Sequence, residues 1–179
     1  MSKQKILFDA NIIIELHQLS LWDSVLQACH GAVTPIILRE ARFYRDSQGQ
    51  KLPINLNKDV VDQKIEELSV SIETYNALQN VLRDSFLEGI DEGEREAIAF
   101  LHAFRENNPY LFCTADQLAI KCLGVLNLEC QGIALQDLFE SIGIKVNPGL
   151  KRHSRLLFEK MLNEGAQESE CKSQVIFSK

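Results

Sequence analysis

The sequence predicts an α/β fold, a central parallel sheet flanked by helices in an α/β/α sandwich. Three observations carry that expectation. Short apolar runs at residues 6–8 (ILF) and 110–113 (YLFC) lack polar alternation, as strands buried on both faces do. Longer segments with apolar residues at helical spacing lie between such runs. Strand and helix signals alternate along the chain, the order that produces parallel sheets.

Taken in order, a strand at residues 5–8 leads into helical sequence from Ile12 to about Cys29, broken near Ser20. GAVT at 31–34 reads as a second strand. Pro35 suits a first helical position and opens a helix running through Tyr44. Residues 46–58 (DSQGQKLPINLNK) read as a polar loop, and residues 68–71 as a weakly marked third strand. Residues 73–87 repeat at helical spacing until Gly89 stops them. Residues 91–105 form the clearest helix.

After Pro109 come the strand at 110–113, a helix at 115–123, a strand at 126–130 and a helix at 135–141. The domain organisation expected is one α/β domain over residues 1–148, a basic helix over 149–164 carrying Lys151, Arg152, His153 and Arg155, and a flexible polar tail over 165–179.

The chain has 179 residues, 45% hydrophobic and 25% charged, ample for a hydrophobic core. No uncharged apolar stretch has the length of a membrane span, and the N-terminus lacks the pattern of a signal peptide. Five scattered cysteines without a CxxC pair read as reduced thiols of a cytoplasmic protein and argue against a zinc site. The net charge of −6 argues against bulk electrostatic capture of nucleic acid and requires any such binding to use a local basic patch.

Several carboxylates stand where apolar residues belong. Asp9 follows the first buried strand, where an uncompensated charge costs several kcal/mol. At about 100° per residue, Glu40 falls at the centre of the stripe formed by Ile36, Ile37, Phe43 and Tyr44. Alone, it reads equally well as a salt-bridged core residue.

In DEGEREAIAF (91–100), Asp91 and Glu94 have capping-box spacing, and Asp91 and Glu92 suit the helix dipole. Glu94 also shares the face of Ala97, Ile98 and Leu101, whereas Glu96 turns away and reads as a supporting residue. Asp116 shares a face with Ala119, Ile120 and Leu123, with Thr114 as the expected N-cap. Alone, Asp116 reads as a dipole partner, and Asn11 as the N-cap of the helix starting at Ile12.

Together, Asp9, Glu40, Glu94 and Asp116 follow strands or open helices and point coreward, without Lys or Arg on those faces. Clustered carboxylates repel one another unless a hard divalent cation offsets them.

FDAN at the first strand, the acid in ILREARF, GEREAIA opening a helix and TADQLA after a strand together resemble the PIN-domain ribonucleases, over residues 5–145 and in that family's order. The resemblance implies a parallel sheet with an acidic pocket that holds Mg²⁺ or Mn²⁺ and hydrolyses RNA. It implies catalytic and metal-binding roles for Asp9, Glu40, Glu94 and Asp116, with Asn11, Thr114 and Glu96 supporting. Arg39, Arg42, Lys151 and Arg152, with Lys145 and Arg155 beside them, would contact the RNA backbone.

The toxin branch of the family adds an antitoxin protein to the range of partners, and a homodimer to the assemblies. GEREAI is closer to branches with a Glu after the Gly, and the chain is longer than compact toxins. A non-catalytic PIN-like module binding RNA or a protein is the competing reading. A response-regulator receiver would want two adjacent acids after strand one and a late Lys, and a Rossmann nucleotide binder a GxGxxG.

Overall fold

The computed structural model describes residues 3–106, 108–145 and 153–176, with side chains up to Ser169. Five parallel strands form the central sheet: β1 (Lys5–Phe8), β2 (His30–Val33), β5 (Ile65–Glu67), β6 (Tyr110–Cys113) and β7 (Gly132–Ile133), in the order β5-β2-β1-β6-β7. Helices flank it, so the molecule is an α/β/α sandwich as expected. Ile6, Leu7, Phe8 and Phe112 are fully buried, which is why those strands show no polar alternation.

The sheet is wound both ways from its centre. The chain moves from β1 outward to β2 and β5, then returns to the other side of β1 for β6 and β7. The reversal lies between β1 and β6, where Phe8 pairs with Cys113. In such sheets a crevice opens at the carboxyl ends of the strands beside the reversal.

The first helical stretch is two helices, α1 (Ala10–Gln18) and α2 (Trp22–Ala28). Ser20 breaks them with a left-handed φ of 57°. Helix α3 (Pro35–Glu40) is shorter than expected. At Ala41 the chain leaves the helix for an antiparallel hairpin of β3 (Phe43–Arg45) and β4 (Lys51–Pro53), in place of the expected polar loop. Asp46 organises the hairpin turn by accepting the backbone N–H of Gln48 and Gln50. Helix α4 (Leu56–Val61) follows, and β5 comes three residues before the expected third strand.

The stretch at 73–87 is also split, into α5 (Ile72–Val81) and α6 (Asp84–Gly89). Helix α7 (Glu92–Ala103) precedes β6, and α8 (Gln117–Val125) follows it. The strand expected at 126–130 is instead a 3₁₀ turn (Glu129–Gln131), with the short β7 just after it. Helix α9 (Leu135–Ser141) then leads towards α10.

The C-terminal segment corrects two expectations. Helix α10 spans Arg155–Ile176, so 165–176 continue the helix that the sequence suggested would end at Glu164. Its partner explains this. Gly124 on α8 and Gly165 on α10 face the other helix's main chain, each so closely that a Cβ would collide with it. Lys121 on α8 pairs with Glu164 and Glu168. Nor is the described part of α10 a free basic surface, since Arg155 pairs with Asp137 and Glu140, and Lys160 with Glu164.

Among the described residues, no helix is long and apolar enough to cross a membrane. Cys29 and Cys113 are buried free thiols, Cys130 is an exposed one, and Cys122 is buried on α8.

Candidate functional site

The acids converge on the carboxyl edge of the sheet, beside the reversal. Asp9 directly follows β1 and is the N-cap residue of α1, only 2% exposed. Its backbone N–H donates to the carbonyl of Cys113 (3.1 Å), which locks the ends of β1 and β6 together. Helix α1 thus starts at Ala10, and Asn11 is not its cap but an exposed residue of its first turn.

Thr114, buried after β6, donates its hydroxyl to Asp9 Oδ2 (3.3 Å) and accepts the backbone N–H of Asp116 (3.1 Å). The cap of α8 is Asp116, whose Oδ1 accepts the amides of Leu118 and Ala119 (both 2.8 Å). Thr114 is therefore the link between the two aspartates. Desolvation pushes the Asp9 carboxyl up to about 7, with the charges of Asp116 and Glu40 adding to it. The Ala10 amide and the Thr114 hydroxyl pull it back only in part.

Glu94 enters from the first turn of α7, 3% exposed, on the coreward face as its spacing predicts. Burial, then the charges of Asp9, Asp116 and Asp91, raise its carboxyl to about 9, partly offset by the backbone amide of Asp91. Asp91 is the N-cap residue of α7 but makes no side-chain cap, so only the Glu94 arm of the expected capping box operates.

Glu40 arrives by a different route from the one its spacing suggested. It is exposed at the last residue of α3, because the helix ends before Phe43 and Tyr44 can share a wheel with it. Its carboxylate lies over the first turn of α7, where a Cβ on Gly93 would sit 2.5 Å from Glu40 Oε2. Glycine at 93 leaves that space open. Partial burial raises the Glu40 carboxyl, Asp91 and Glu92 raise it further, and the Gly93 amide and Arg39 act against them.

Glu96 is also buried, 8% exposed, because α7 is covered by α3 and α5 as well as by the sheet-side core. Its Oε2 accepts the backbone N–H of Ile36 (2.9 Å). It satisfies an open donor at the start of α3, the helix that carries Glu40.

Four residues near this edge had no site role in the sequence reading: Thr34, Glu15, His153 and Asp91. Carrying the β1–β2 register two residues past Leu7 and Ala32 sets Thr34 level with Asp9, and its hydroxyl is fully buried without a hydrogen-bond partner. A Thr between a strand and Pro35 was the available signal. Beside Asp116 a cavity of about 660 Å³ opens, lined by Asn11, Glu15, Gln117, His153 and Leu157 among others. His153 Nε2 lies 3.9 Å from Glu15 Oε2. Nothing local in the sequence pairs those two residues.

Arg39 and Arg42 are exposed just before the hairpin, whereas Lys151 and Arg152 lie outside the described residues. No family model and no curated protein matches this chain.

The donor chemistry suits a hard divalent cation. Asp9, Glu94, Asp116 and Glu40 offer only carboxylate oxygens, burial and then neighbouring acids raise the carboxyls of Asp9 and Glu94, and the orphaned Thr34 hydroxyl lies at the same edge. Among the described residues, no three His, Cys, Asp or Glu side chains close on a single point.

Proposed function

We propose that this chain is a metal-dependent ribonuclease of the PIN type, hydrolysing phosphodiester bonds of RNA in the crevice between β1 and β6. One observation carries the reading. Acids from four separate segments gather at the sheet's reversal, where burial first and then the charges of Asp116 and Glu40 raise the Asp9 carboxyl, burial and then Asp9, Asp116 and Asp91 raise that of Glu94, and burial with Asp91 and Glu92 raises that of Glu40. Such an arrangement costs stability in the isolated protein, and a cation recovers it.

Asp9 and Asp116 are the direct ligands in this reading, and Glu40 and Glu94 complete the set directly or through water. A bound Mg²⁺ or Mn²⁺ supplies a water of lowered pKa and neutralises charge on the phosphate. The chain's own residues do the positioning. Thr114 holds Asp9 and the amide of Asp116 in register across β1 and β6. Gly93 leaves room for Glu40 to reach the start of α7. Glu96 fixes the start of α3. In the reaction a water oxygen bonds to phosphorus and one ester P–O bond breaks, with the proton of the water passing to the solvent or the leaving oxygen. Asn11, exposed beside Asp116 in the adjoining cavity, would contact the scissile strand in this reading.

The competing reading, a non-catalytic module, draws on the net charge of −6 and on the failure of three acids to close on one point among the described residues. The purified protein incubated with single-stranded RNA and millimolar Mn²⁺ decides between them. Cleavage that stops with EDTA, and that Asp9→Asn reduces on the order of 100-fold with its circular dichroism intact, is the expected outcome. No cleavage by the wild type, or full cleavage by Asp9→Asn, favours the module.

A further inference from the structure

Net charge makes most of this surface unsuited to a polyanion, yet one projecting element has the opposite sign. Residues 42–53 contain Arg42, Arg45 and Lys51 against a single acid, Asp46, whose Oδ1 is engaged by turn amides. Strand alternation sorts the ribbon into two faces. Tyr44 and Leu52 pair with each other and are half-buried, with the Tyr44 ring 5.6 Å from that of His17. Phe43, Arg45, Lys51 and Pro53 share the other face and are exposed.

On that face Arg45 stands directly opposite Lys51, a like-charged cross-strand pair that destabilises a ribbon. Several surface cations elsewhere are matched, Lys58 with Asp62, Lys64 with Asp23 and Asp59, Lys121 with Glu164, and Arg155 with Asp137 and Glu140, while Arg39, Arg83, Arg105 and Lys145 stand singly rather than as a facing pair. Among the described residues, no carboxylate comes within salt-bridge range of Arg42, Arg45 or Lys51. Lys51 Nζ instead sits 3.5 Å from the centroid of the Phe43 ring, which is 41% exposed. The ribbon is also held in shape, because Arg45 donates to the Gly49 carbonyl (3.0 Å) and Arg42 to the Arg39 carbonyl (2.7 Å).

We infer that the β3–β4 hairpin is a grip for single-stranded RNA, with Arg42, Arg45 and Lys51 on its phosphates and Phe43 stacked against a base. An unmatched pair of cations beside an exposed aromatic ring is the combination that holds single strands without reading sequence. The hairpin begins three residues after Glu40, so a strand held there continues towards the acid crevice. The inference takes from the nuclease reading only the choice of RNA as the polymer.

Binding is measured apart from cleavage, by fluorescence anisotropy of a fluorescein-labelled twelve-nucleotide oligouridylate in EDTA, over a salt series. Arg45→Gln/Lys51→Gln is expected to weaken binding about tenfold at low salt and to lower the slope of log affinity against log salt by roughly 1.4, the value for two phosphate contacts on a single strand. Phe43→Ala is expected to weaken binding at least about fivefold with the slope unchanged, as loss of one stacked base would. Both sites are exposed, and melting curves of the variants check that the fold is kept.

Wild-type affinity and slope in the double variant overturn the inference, as does a wild type that binds no RNA, or that binds duplex as tightly as single strand. If the variants lose binding while the wild type never cleaves with Mn²⁺, the grip stands and the nuclease reading fails. If cleavage stands and the variants bind normally, the grip alone fails.

Discussion

The two ends of the central sheet treat their carboxylates in opposite ways. Towards the amino ends of the strands, Glu66 of β5 accepts the hydroxyl of Tyr110, lies 3.2 Å from His30 Nε2 and 3.8 Å from Lys5 Nζ. Tyr110 first, then His30 and Lys5, hold its carboxyl below the usual range. At the carboxyl ends, burial first and then neighbouring acids raise Asp9 to about 7 and Glu94 to about 9. One end is complete within the fold. The other is left with buried carboxyls that an added cation or bound protons would relieve, and the proposed function rests on that contrast.

The largest effect expected from this contrast is on cleavage. Glu94→Gln should lower Mn²⁺-dependent RNA cleavage on the order of 100-fold, while Glu96→Gln, which keeps an oxygen for the Ile36 amide, should stay within a few-fold of wild type. Equal losses in initial-rate assays would mean that the two glutamates of α7 share one role and that the burial of Glu94 has no special meaning.

A smaller effect is expected on melting. Millimolar Mn²⁺ at about tenfold excess over Kd should stabilise the wild type by roughly 1.4 kcal/mol, a shift of a few degrees. Asp9→Asn/Glu94→Gln should melt higher than the wild type in EDTA and gain nothing from Mn²⁺. A double variant that still responds to the ion would place the cation somewhere other than this crevice.

The smallest effects concern pH, and the two ends should differ in sign. Asp9 and Glu94 have native values above their ordinary 3.8 and 4.5, so the native state holds protons that the unfolded chain has released. In EDTA, stability should therefore fall as pH rises from about 4 through 7 and on towards 9, and the neutral double variant should flatten that slope. Glu66 is lowered, so its contribution is present above its ordinary 4.5 and disappears as pH falls through its native value. Glu66→Gln should cost less than about 1 kcal/mol at pH 7, since the group is well exposed, and nothing in strong acid. Urea melts of the three proteins at several pH values test this, and a metal-free wild type that gains stability between pH 5 and 8 would remove the argument for crowded acids.

The sequence showed the acids better than it showed their supports. Asp9 was legible because a charge inside a β-type run is conspicuous, and Glu94 because α7 is long enough for its periodicity to hold. Glu40 was placed at the right edge for the wrong reason. The wheel extended past Ala41, whereas the helix stops there and the side chain reaches the crevice through the gap at Gly93. Strands of three residues with alternating exposure, as in β3 and β4, resemble a polar loop because nothing covers their outer face. Glu96 and Thr34 were illegible because their significance lies in which segment lies against them. The helical course of 165–176 was masked by its polarity, since α10 is held to α8 less by apolar side chains at that point than by main-chain approach.

That approach has a consequence for the cavity beside Asp116. Leu157 in the first turn of α10 and His153 just before the helix form part of its wall, and Gly165 lies about 12 Å beyond Leu157 along α10. Main-chain atoms have no rotamers to absorb a displacement, so the Gly124–Gly165 crossing acts as a fulcrum and the wall as the arm of a lever. A methyl group at Gly165 should tilt the whole helix rather than dent its surroundings, and the displacement should grow towards Leu157. The width of the cavity is in this sense set by two residues that never touch whatever occupies it.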